Sequence, residues 1–317
     1  MTEKSEPLVA EYSIVMSAPA QRAFALIEDA VRWPQHFTPV VHTERTQESA
    51  DRDELRIWGL RGEDAVRVWT ARRVFDRAGL RISFTNEPAV APLAASGGEW
   101  SFTDQGDGTS RVTVRHEFTM LPDADVPAER IAEELGKHSR KQLEELKLAA
   151  ELGDELDRLV VDFEDPLFIG GAVEDSWAIL YEADKWPERL AHVHKLTMTE
   201  DVPNIQFFDM DTTTPDGRGH FTRSVRVCLP HGKIVYKQVT PPPLLTAHTG
   251  HWAWVETPEG HLLSSRHTVT INPAKLALLG EGTTVEDARK YLRRVLSTNS
   301  MTNLRLAKTY AEERAGV

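Results

Sequence analysis

Two arginines in strand-like segments are the residues of this sequence best suited to chemistry. Arg73 ends the run Trp69-Thr-Ala-Arg-Arg, and Arg226 ends the run Thr222-Arg-Ser-Val-Arg. A guanidinium stays protonated and can donate two hydrogen bonds at once, so inside an apolar cavity it stabilises negative charge that develops on an oxygen atom. The alternative for either arginine is a salt bridge to a neighbouring carboxylate, which is a structural role.

Other polar side chains could assist these arginines. Ser224 lies two residues before Arg226, on the same face of an extended strand, where its hydroxyl could bind a carbonyl oxygen or a water molecule. No Gly-x-Ser-x-Gly motif is present, which disfavours a hydrolase nucleophile. His192 and His194 share one strand face, and histidine carries protons near neutral pH, so we predict a catalytic role for both. The alternative is an exposed position on a strand or loop.

Neither a metal nor a cofactor is predicted. A His-x-His pair is found in some zinc sites, but no cysteine or carboxylate follows His192 and His194 at a supporting spacing.

An internal repeat explains why the two arginines occur in similar runs. Matched residues recur in the same order, with an offset that drifts only from 153 to 151 residues, as single-residue loop deletions would produce. We therefore predict two homologous domains, residues 1–153 and 154–317. The matched pairs include Trp33 with Trp186, Arg73 with Arg226, Trp100 with Trp252, and Arg115-His116 with Arg266-His267.

Each repeat has the same predicted order of elements. The alternating segment 11–16 predicts a strand, and a short helix follows that ends at Trp33-Pro34, because the residue before proline avoids the α region. Five or six strand-like runs then predict an antiparallel sheet. A long amphipathic helix closes each repeat, at about 126–152 and about 283–314. This order predicts an α+β fold with room for a cavity between sheet and helix.

The composition excludes several classes of protein. The chain has 317 residues and a formal net charge of −12 at pH 7, which disfavours nucleic acid and anionic membrane surfaces as partners. No apolar run is long enough to span a membrane, and the first residues lack the apolar core of a signal peptide. Cys228 is the single cysteine, so no internal disulfide can form, and we predict a cytoplasmic protein.

The motifs resemble those of a known family. The segments SIVMSAP, RWPQHF, VWTARRVF, GEWSF and VRHEF, with a long terminal helix, are similar to the START/Bet v 1-like helix-grip fold. More narrowly, they resemble the polyketide aromatase/cyclases of bacterial type II polyketide synthases, and the tandem arrangement resembles their di-domain members. The resemblance implies two helix-grip domains, each with a curved antiparallel sheet wrapped around a long C-terminal helix and an internal cavity.

The resemblance also implies which residues serve the reaction. It places Arg73 and Arg226 in the two cavities, with Ser224 beside the second arginine where the first repeat has Ala71. Phe37, four residues after Trp33, matches the family's aromatic residue, whereas repeat two has Leu190 at that position. The substrate-binding residues implied by the match are Trp33, Phe37, Trp69, Trp100, Trp186, Trp252 and Asn303.

The activity that the resemblance implies is ring closure by a cofactor-independent polyketide cyclase/dehydratase. Its substrate is a poly-β-ketone tethered through phosphopantetheine to an acyl carrier protein, and its reaction is first-ring aldol cyclisation, dehydration, or both. The carrier protein and other synthase subunits are the implied partners. Because the carrier is acidic, docking needs a local basic surface. We predict this surface on the last helix, at Arg289-Lys290 and Arg293-Arg294. The alternative is a non-catalytic carrier of a hydrophobic molecule, which an all-apolar cavity would favour.

Overall fold

The computed structural model is an α+β protein in which the same order of elements occurs twice. Contacts between Cα atoms divide the chain between Leu156 and Asp157, close to the predicted boundary. The parts on either side are here called the N-terminal domain and the C-terminal domain. The residues that the structure describes are 7–89, 91–191, 193–213, 217 and 219–316.

A seven-stranded antiparallel sheet forms the framework of the N-terminal domain. Its strands are β1 (Leu8–Met16), β2 (Val40–Ser49), β3 (Arg52–Arg61), β4 (Ala65–Asp76), β5 (Arg81–Glu87), β6 (Leu93–Asp104) and β7 (Ser110–Met120). The strand order in the sheet is β1-β7-β6-β5-β4-β3-β2, so β1 pairs with β7 and every other pairing joins neighbours in sequence. Such a sheet has a meander as its main part, as the sequence predicts.

The described part of this domain also has three α-helices, α1 (Ala20–Glu28), α2 (Trp33–His36) and α3 (Ala128–Leu152), and a 3-10 helix at Ala30–Arg32. The long helix α3 buries an apolar stripe that includes Leu143 and Leu146, because residues three and four apart share one helix face. These side chains join the hydrophobic cluster of the sheet and of α1, so α3 covers one face of the sheet.

The C-terminal domain repeats this arrangement. Its strands are β8 (Val160–Ile169), β9 (Val193–Val202), β10 (Ile205–Thr213), β11 (Gly219–Leu229), β12 (Lys233–Thr240), β13 (Leu245–Thr257) and β14 (Gly260–Ile271). The strand order is β8-β14-β13-β12-β11-β10-β9, the same as in the first sheet. The helices are α4 (Glu155–Leu159), which begins just before the division, α5 (Val173–Tyr181), α6 (Trp186–Arg189) and α7 (Val285–Ala315).

The structure confirms the predicted fold but differs from the sequence prediction in its short elements. The prediction that the first helix ends at Trp33-Pro34 is wrong, because α1 ends at Glu28 and Trp33 adopts the α region and begins α2. The sequence predicts a direct connection from α3 into the first strand of the second repeat, whereas the chain turns at Gly153 and forms α4. A 3-10 helix at Pro273–Leu279 precedes α7 and was not predicted. Helix α7 begins at a capping box, in which Thr284 and Asp287 bind each other's backbone N–H groups.

None of the helices in the described ranges is both long enough and apolar enough to cross a membrane.

Candidate functional site

A cavity of about 380 Å³ lies in the C-terminal domain, lined by strands β9 to β14 and by α7. Much of its wall is apolar, with Phe208, Leu245 and Leu296 among the lining side chains. The sequence-predicted residues that line it are Trp186, Ser224, Arg226, Trp252 and Asn303. Because Ser224, Arg226 and Asn303 are polar, this cavity differs from the all-apolar tunnel that a simple carrier would have.

Strand β11 carries three polar side chains to this cavity. Thr222, Ser224 and Arg226 are two residues apart, so the alternation of a β-strand places them on one face. All three are buried, and all three line the cavity. The predicted common face of this strand is therefore present.

The guanidinium of Arg226 is fully buried and held by neutral acceptors. Nη1 donates to the carbonyl oxygen of Leu180 at 2.7 Å, and Nη2 donates to that of Tyr181 at 2.8 Å and to Oε1 of Gln206. The ring of Trp186 lies 5.3 Å from the guanidinium carbon, within the range of a cation–π contact. Burial lowers the pKa of Arg226, but a guanidinium remains charged.

Glu200 is linked to this arginine through Gln206. It accepts a hydrogen bond of 2.8 Å from Nε2 of Gln206 and another from the hydroxyl of Tyr181. The amide of Gln206 therefore separates the carboxylate of Glu200 from the guanidinium of Arg226, and the positive charge beside the cavity lacks a direct counter-ion among the described residues.

Five buried polar atoms of cavity-lining residues have no hydrogen-bond partner among the described residues. They are Oγ1 of Thr222, Nε of Arg226, Nε1 of Trp252, Nε2 of His267 and Oδ1 of Asn303. Buried polar groups in folded proteins nearly always have a partner, and an unpaired group costs about 1–3 kcal/mol. These unpaired donors and acceptors belong to residues around one cavity, so a bound polar ligand is a partner that could satisfy them.

Histidine and tyrosine side chains form a compact buried cluster on β12, β13 and β14. The hydroxyl of Tyr236 lies 2.7 Å from Nδ1 of His267, and Nε2 of His248 lies 3.1 Å from that same Nδ1. Burial lowers the pKa of His267 to about 3 and also lowers the pKa of His248, so both imidazoles are neutral near pH 7. Burial raises the pKa of Tyr236, which keeps its hydroxyl protonated.

The histidines that reach this cavity differ from the predicted ones. His194 is exposed on β9, because its neighbour Val193 takes the inward position of the strand, so the prediction that it serves the cavity is wrong. His192 lies outside the described residues. The signal for His267 was its recurrence in the repeat opposite His116, which the sequence analysis used only to align the domains.

The matching arginine of the N-terminal domain has a different environment. Nε and Nη2 of Arg73 donate to the two carboxylate oxygens of Asp53 at 2.8 and 2.7 Å. Nη1 donates to the carbonyl oxygen of Ile27 at 2.7 Å, and Nη2 also donates to that of Glu28 at 2.9 Å. Nε of Arg45 donates to Asp53 as well, at 2.6 Å. Arg73 therefore forms the buried salt bridge that the sequence analysis weighed as its structural alternative.

The aromatic residues predicted in the N-terminal domain belong to its hydrophobic cluster. The ring of Trp33 lies 5.5 Å from the guanidinium carbon of Arg73 and packs edge-on against Phe37 at 5.9 Å between ring centroids. Trp100 is buried in this cluster, and Trp69 is partly buried against it. These contacts are those of core side chains.

The described ranges contain no group of three or more His, Cys, Asp or Glu side chains that could hold a metal ion.

Comparisons with known proteins assign the class. A family model described as "Polyketide cyclase / dehydrase and lipid transport" matches residues 7–151. The actinorhodin polyketide synthase bifunctional cyclase/dehydratase of Streptomyces coelicolor is 38% identical over 311 residues, which are 95% of this chain and 96% of that protein. The granaticin polyketide synthase bifunctional cyclase/dehydratase of Streptomyces violaceoruber is 35% identical over 95% of this chain and 94% of its own length.

Two solved structures agree with this assignment. The di-domain ARO/CYC StfQ from the steffimycin biosynthetic pathway is 52% identical, with a TM-score of 0.86 over 97% of this chain and 99% of that chain. The di-domain ARO/CYC BexL from the BE-7585A biosynthetic pathway is 37% identical, with a TM-score of 0.86 over 96% of this chain and 99% of that chain.

The duplicated α+β fold, together with these relatives, defines a polyketide cyclase of the di-domain class. The chain belongs to the family of bifunctional polyketide cyclase/dehydratases, and the predicted family, fold and aromatase/cyclase activity in polyketide biosynthesis are confirmed.

Proposed function

We propose that the cavity of the C-terminal domain is where a carrier-tethered poly-β-ketone closes its first ring and loses water. The observation that carries this proposal is the set of unpaired buried polar atoms in residues that line the cavity, which includes Nε of Arg226 and Nε2 of His267. A poly-β-ketone has a carbonyl oxygen on every second carbon, so it can accept hydrogen bonds from the donors of this set, which are Thr222, Arg226 and Trp252. The apolar wall suits the methylene groups between them.

Arg226 is the group that stabilises negative charge in this proposal. Removal of a proton from a methylene between two ketones gives an enolate, whose oxygen can accept a hydrogen bond from the unpaired Nε–H of Arg226. The backbone oxygens of Leu180 and Tyr181 fix the guanidinium before the substrate binds, so little reorganisation is needed as charge develops. Ser224, two residues away, is the second polar group on this wall.

His267 is the proton carrier in this proposal. Its neutral imidazole accepts the methylene proton at Nε2, and the enolate carbon then attacks the ketone carbon to form the ring. The new alkoxide takes the proton from the imidazolium, which returns His267 to its neutral form. Loss of water follows when the imidazole takes a second ring proton and then returns it, as imidazolium, to the carbinol hydroxyl; the C–O bond breaks, water leaves, and His267 is neutral again.

The aromatic walls select the ring that forms. Trp186 packs edge-on against Phe208 and Trp252, with ring centroids 6.2 and 6.1 Å apart. Together they restrict the flexible chain to few folds, and positioning of this kind contributes about 7–11 kcal/mol in favourable intramolecular reactions. Asn303 on α7 reaches the same cavity, where its unpaired Oδ1 can accept a hydrogen bond from an enol hydroxyl.

The carrier protein docks, in this proposal, at a basic cleft on α7. Arg289, Lys290, Arg293 and Arg294 line a surface cleft of about 600 Å³. Bidentate contacts join Arg293 to Asp165, at 2.7 and 3.1 Å, so part of this charge is balanced. The cleft gives an acidic partner a local attraction that the net charge of −12 does not. The phosphate of phosphopantetheine is negatively charged and so is also attracted to this basic cleft.

The proposed site is tested by matched substitution of the two arginines. The variants Arg226→Gln and Arg73→Gln are reconstituted with a carrier-bound polyketide and the other synthase subunits, and the cyclised products are identified and timed. We expect Arg226→Gln to lower the rate of ring formation by on the order of 100-fold. Arg73→Gln is expected to keep the rate per folded molecule, because that guanidinium is already occupied by Asp53.

A second substitution covers the case in which Arg226→Gln does not fold. Arg226→Lys keeps the charge and loses the planar fork, so it is expected to fold and to form the ring about tenfold more slowly. Unchanged rates and products in a folded Arg226 variant would refute the proposed site. Loss of ring formation in Arg73→Gln alone would instead place the reaction in the N-terminal domain.

A further inference from the structure

A chain of hydrogen bonds connects Gln238 to His267 across three strands. Oε1 of Gln238 lies 2.9 Å from Nδ1 of His248, and Nε2 of His248 lies 3.1 Å from Nδ1 of His267. The hydroxyl of Tyr236 lies 2.7 Å from Nδ1 of His267 and 3.4 Å from Nε2 of His248. All four residues line the cavity, and the proposed function assigns no role to Gln238 or to His248.

The amide oxygen of Gln238 determines where the hydrogen of His248 lies. An amide oxygen only accepts, so the contact at 2.9 Å requires a hydrogen on Nδ1 of His248. A neutral imidazole has one hydrogen, so Nε2 of His248 has a lone pair and acts as an acceptor.

That acceptor then determines the tautomer of His267. The contact between Nε2 of His248 and Nδ1 of His267 needs a hydrogen, and it can come only from Nδ1 of His267. The hydroxyl of Tyr236 fits this arrangement, because its oxygen can accept from Nδ1 of His267 while its hydrogen is donated to Nε2 of His248 or to the carbonyl oxygen of Arg266, each 3.4 Å away. The opposite tautomer would place two lone pairs 3.1 Å apart in a buried site. Nε2 of His267, which has no partner among the residues that the structure describes, is therefore left as a lone pair.

We propose that Gln238 and His248 are positioning residues that hold the hydrogen of His267 on Nδ1 and so present the Nε2 lone pair to the cavity. This inference rests on the proposed function only for the use made of that lone pair. A lone pair at Nε2 can accept a proton from the substrate, whereas an N–H at the same place can only donate a hydrogen bond.

The N-terminal domain holds its matching histidine in another way. Asn86 faces Ala71 in the strand register as Gln238 faces Ser224. Nδ2 of Asn86 donates to Oγ of Ser96 at 3.3 Å. Nε2 of His116, the counterpart of His267, is bound to Oγ of Ser139 at 2.8 Å. The repeat therefore supplies a matched control position for Gln238.

The tautomer can be measured directly on the full chain without substrate. Protein labelled with ¹⁵N-histidine gives a two-bond ¹H–¹⁵N correlation spectrum in which protonated and unprotonated ring nitrogens have distinct shifts. The signals of His267 are identified by their loss in His267→Gln. We expect Nε2 of His267 to have the shift of an unprotonated nitrogen in the unmodified protein.

Three substitutions then test the chain of hydrogen bonds. Gln238→Leu removes the acceptor, so His248 is freed to carry its hydrogen on Nε2, and the hydrogen of His267 is expected to move to its own Nε2. Gln238→Glu keeps an acceptor and is expected to keep the original tautomer. Asn86→Leu, at the matched position of the other domain, should leave the His267 signals in place. A protonated Nε2 in the unmodified protein, or no change in Gln238→Leu, would overturn the inference.

Turnover gives the second readout. Gln238→Leu is expected to lower kcat by at least about tenfold with KM within about threefold, because the proton acceptor is lost while the cavity wall remains. Gln238→Glu should recover kcat to within about threefold of the unmodified enzyme. If the tautomer changes in Gln238→Leu and kcat does not, the proposed use of His267 is wrong although the positioning chain stands. If neither changes, the positioning chain itself is refuted.

Discussion

The two domains hold the same arginine in the same way but give it different polar partners. In each domain the guanidinium donates to two backbone oxygens, at the end of α1 or of α5, and lies near a tryptophan ring, at 5.5 Å for Arg73 and 5.3 Å for Arg226. The register partner on the neighbouring strand is Asp53 in the N-terminal domain and Gln206 in the C-terminal domain. A carboxylate neutralises the first arginine, and an amide leaves the second one charged.

Under the proposed function, this difference gives a structural role to one arginine of the duplicated fold and a catalytic role to the other. Both arginines donate to backbone oxygens in the same way, so these hydrogen bonds are a feature of the fold and do not distinguish a catalytic arginine from a structural one. The residue opposite the arginine decides whether the guanidinium closes a salt bridge or remains available to an oxygen of the substrate. The histidines follow the same division, because Nε2 of His116 is bound to Ser139 while Nε2 of His267 has no partner among the described residues.

The largest expected effect is on the stability of the N-terminal domain. Asp53→Asn keeps the shape of the side chain and leaves Arg73 and Arg45 without their shared carboxylate. Removing one partner of a buried ion pair costs about 3–5 kcal/mol, because the remaining charge is buried without compensation. Urea unfolding followed by tryptophan fluorescence should therefore show a transition at clearly lower urea concentration.

The neighbouring residue on the same strand provides the control for this measurement. Glu54 binds Arg72 at 3.1 Å on the surface, where both side chains are exposed. Glu54→Gln should change the unfolding free energy by no more than about 0.5 kcal/mol. Equal effects of Asp53→Asn and Glu54→Gln would mean that the salt bridge of Arg73 is not the structural element we infer.

Sequence patterns were sufficient for the sheets, the long helices and one part of the site. Periodicity locates these elements, and the repeat locates Arg226 and Trp252, because each of these signals is local or recurs at a fixed offset. The short helices α2, α4 and α6 were not located. The partner of each arginine was not predictable, because it depends on which residues of two strands face each other. The cluster of His248 and His267 was missed for the same reason, since it forms only when β13 and β14 pair.

The second prediction transfers the N-terminal charge arrangement to the C-terminal domain. The double variant Gln206→Glu with Glu200→Gln places a carboxylate against Arg226 and leaves an amide next to it, so the net charge is unchanged. We expect kcat for ring formation to fall on the order of 100-fold, because a neutralised guanidinium stabilises an enolate poorly. The measurement is product formation from a carrier-bound polyketide.

The single variant Glu200→Gln is the control for this exchange. It removes the distant carboxylate, keeps an acceptor for Nε2 of Gln206, and should leave kcat within about threefold of the original value. If the double variant is fully active, direct pairing with a carboxylate does not silence the arginine, and the comparison of the two domains loses its electrostatic basis.

The smallest expected effect concerns docking and compares the two long helices. Charge reversal of Lys290→Glu with Arg294→Glu removes positive charge from the cleft on α7, whereas Arg140→Glu with Lys141→Glu changes the exposed basic pair of α3. We expect the α7 variant to raise KM for the carrier-bound substrate about tenfold at low salt with kcat unchanged, because surface charges act mainly on the encounter rate. At about 1 M salt the Debye length falls to about 3 Å, so the difference should disappear.

The α3 variant carries the same change in net charge and should raise KM by less than about threefold. An equal increase in both variants would show that overall charge, rather than the cleft on α7, governs association with the carrier.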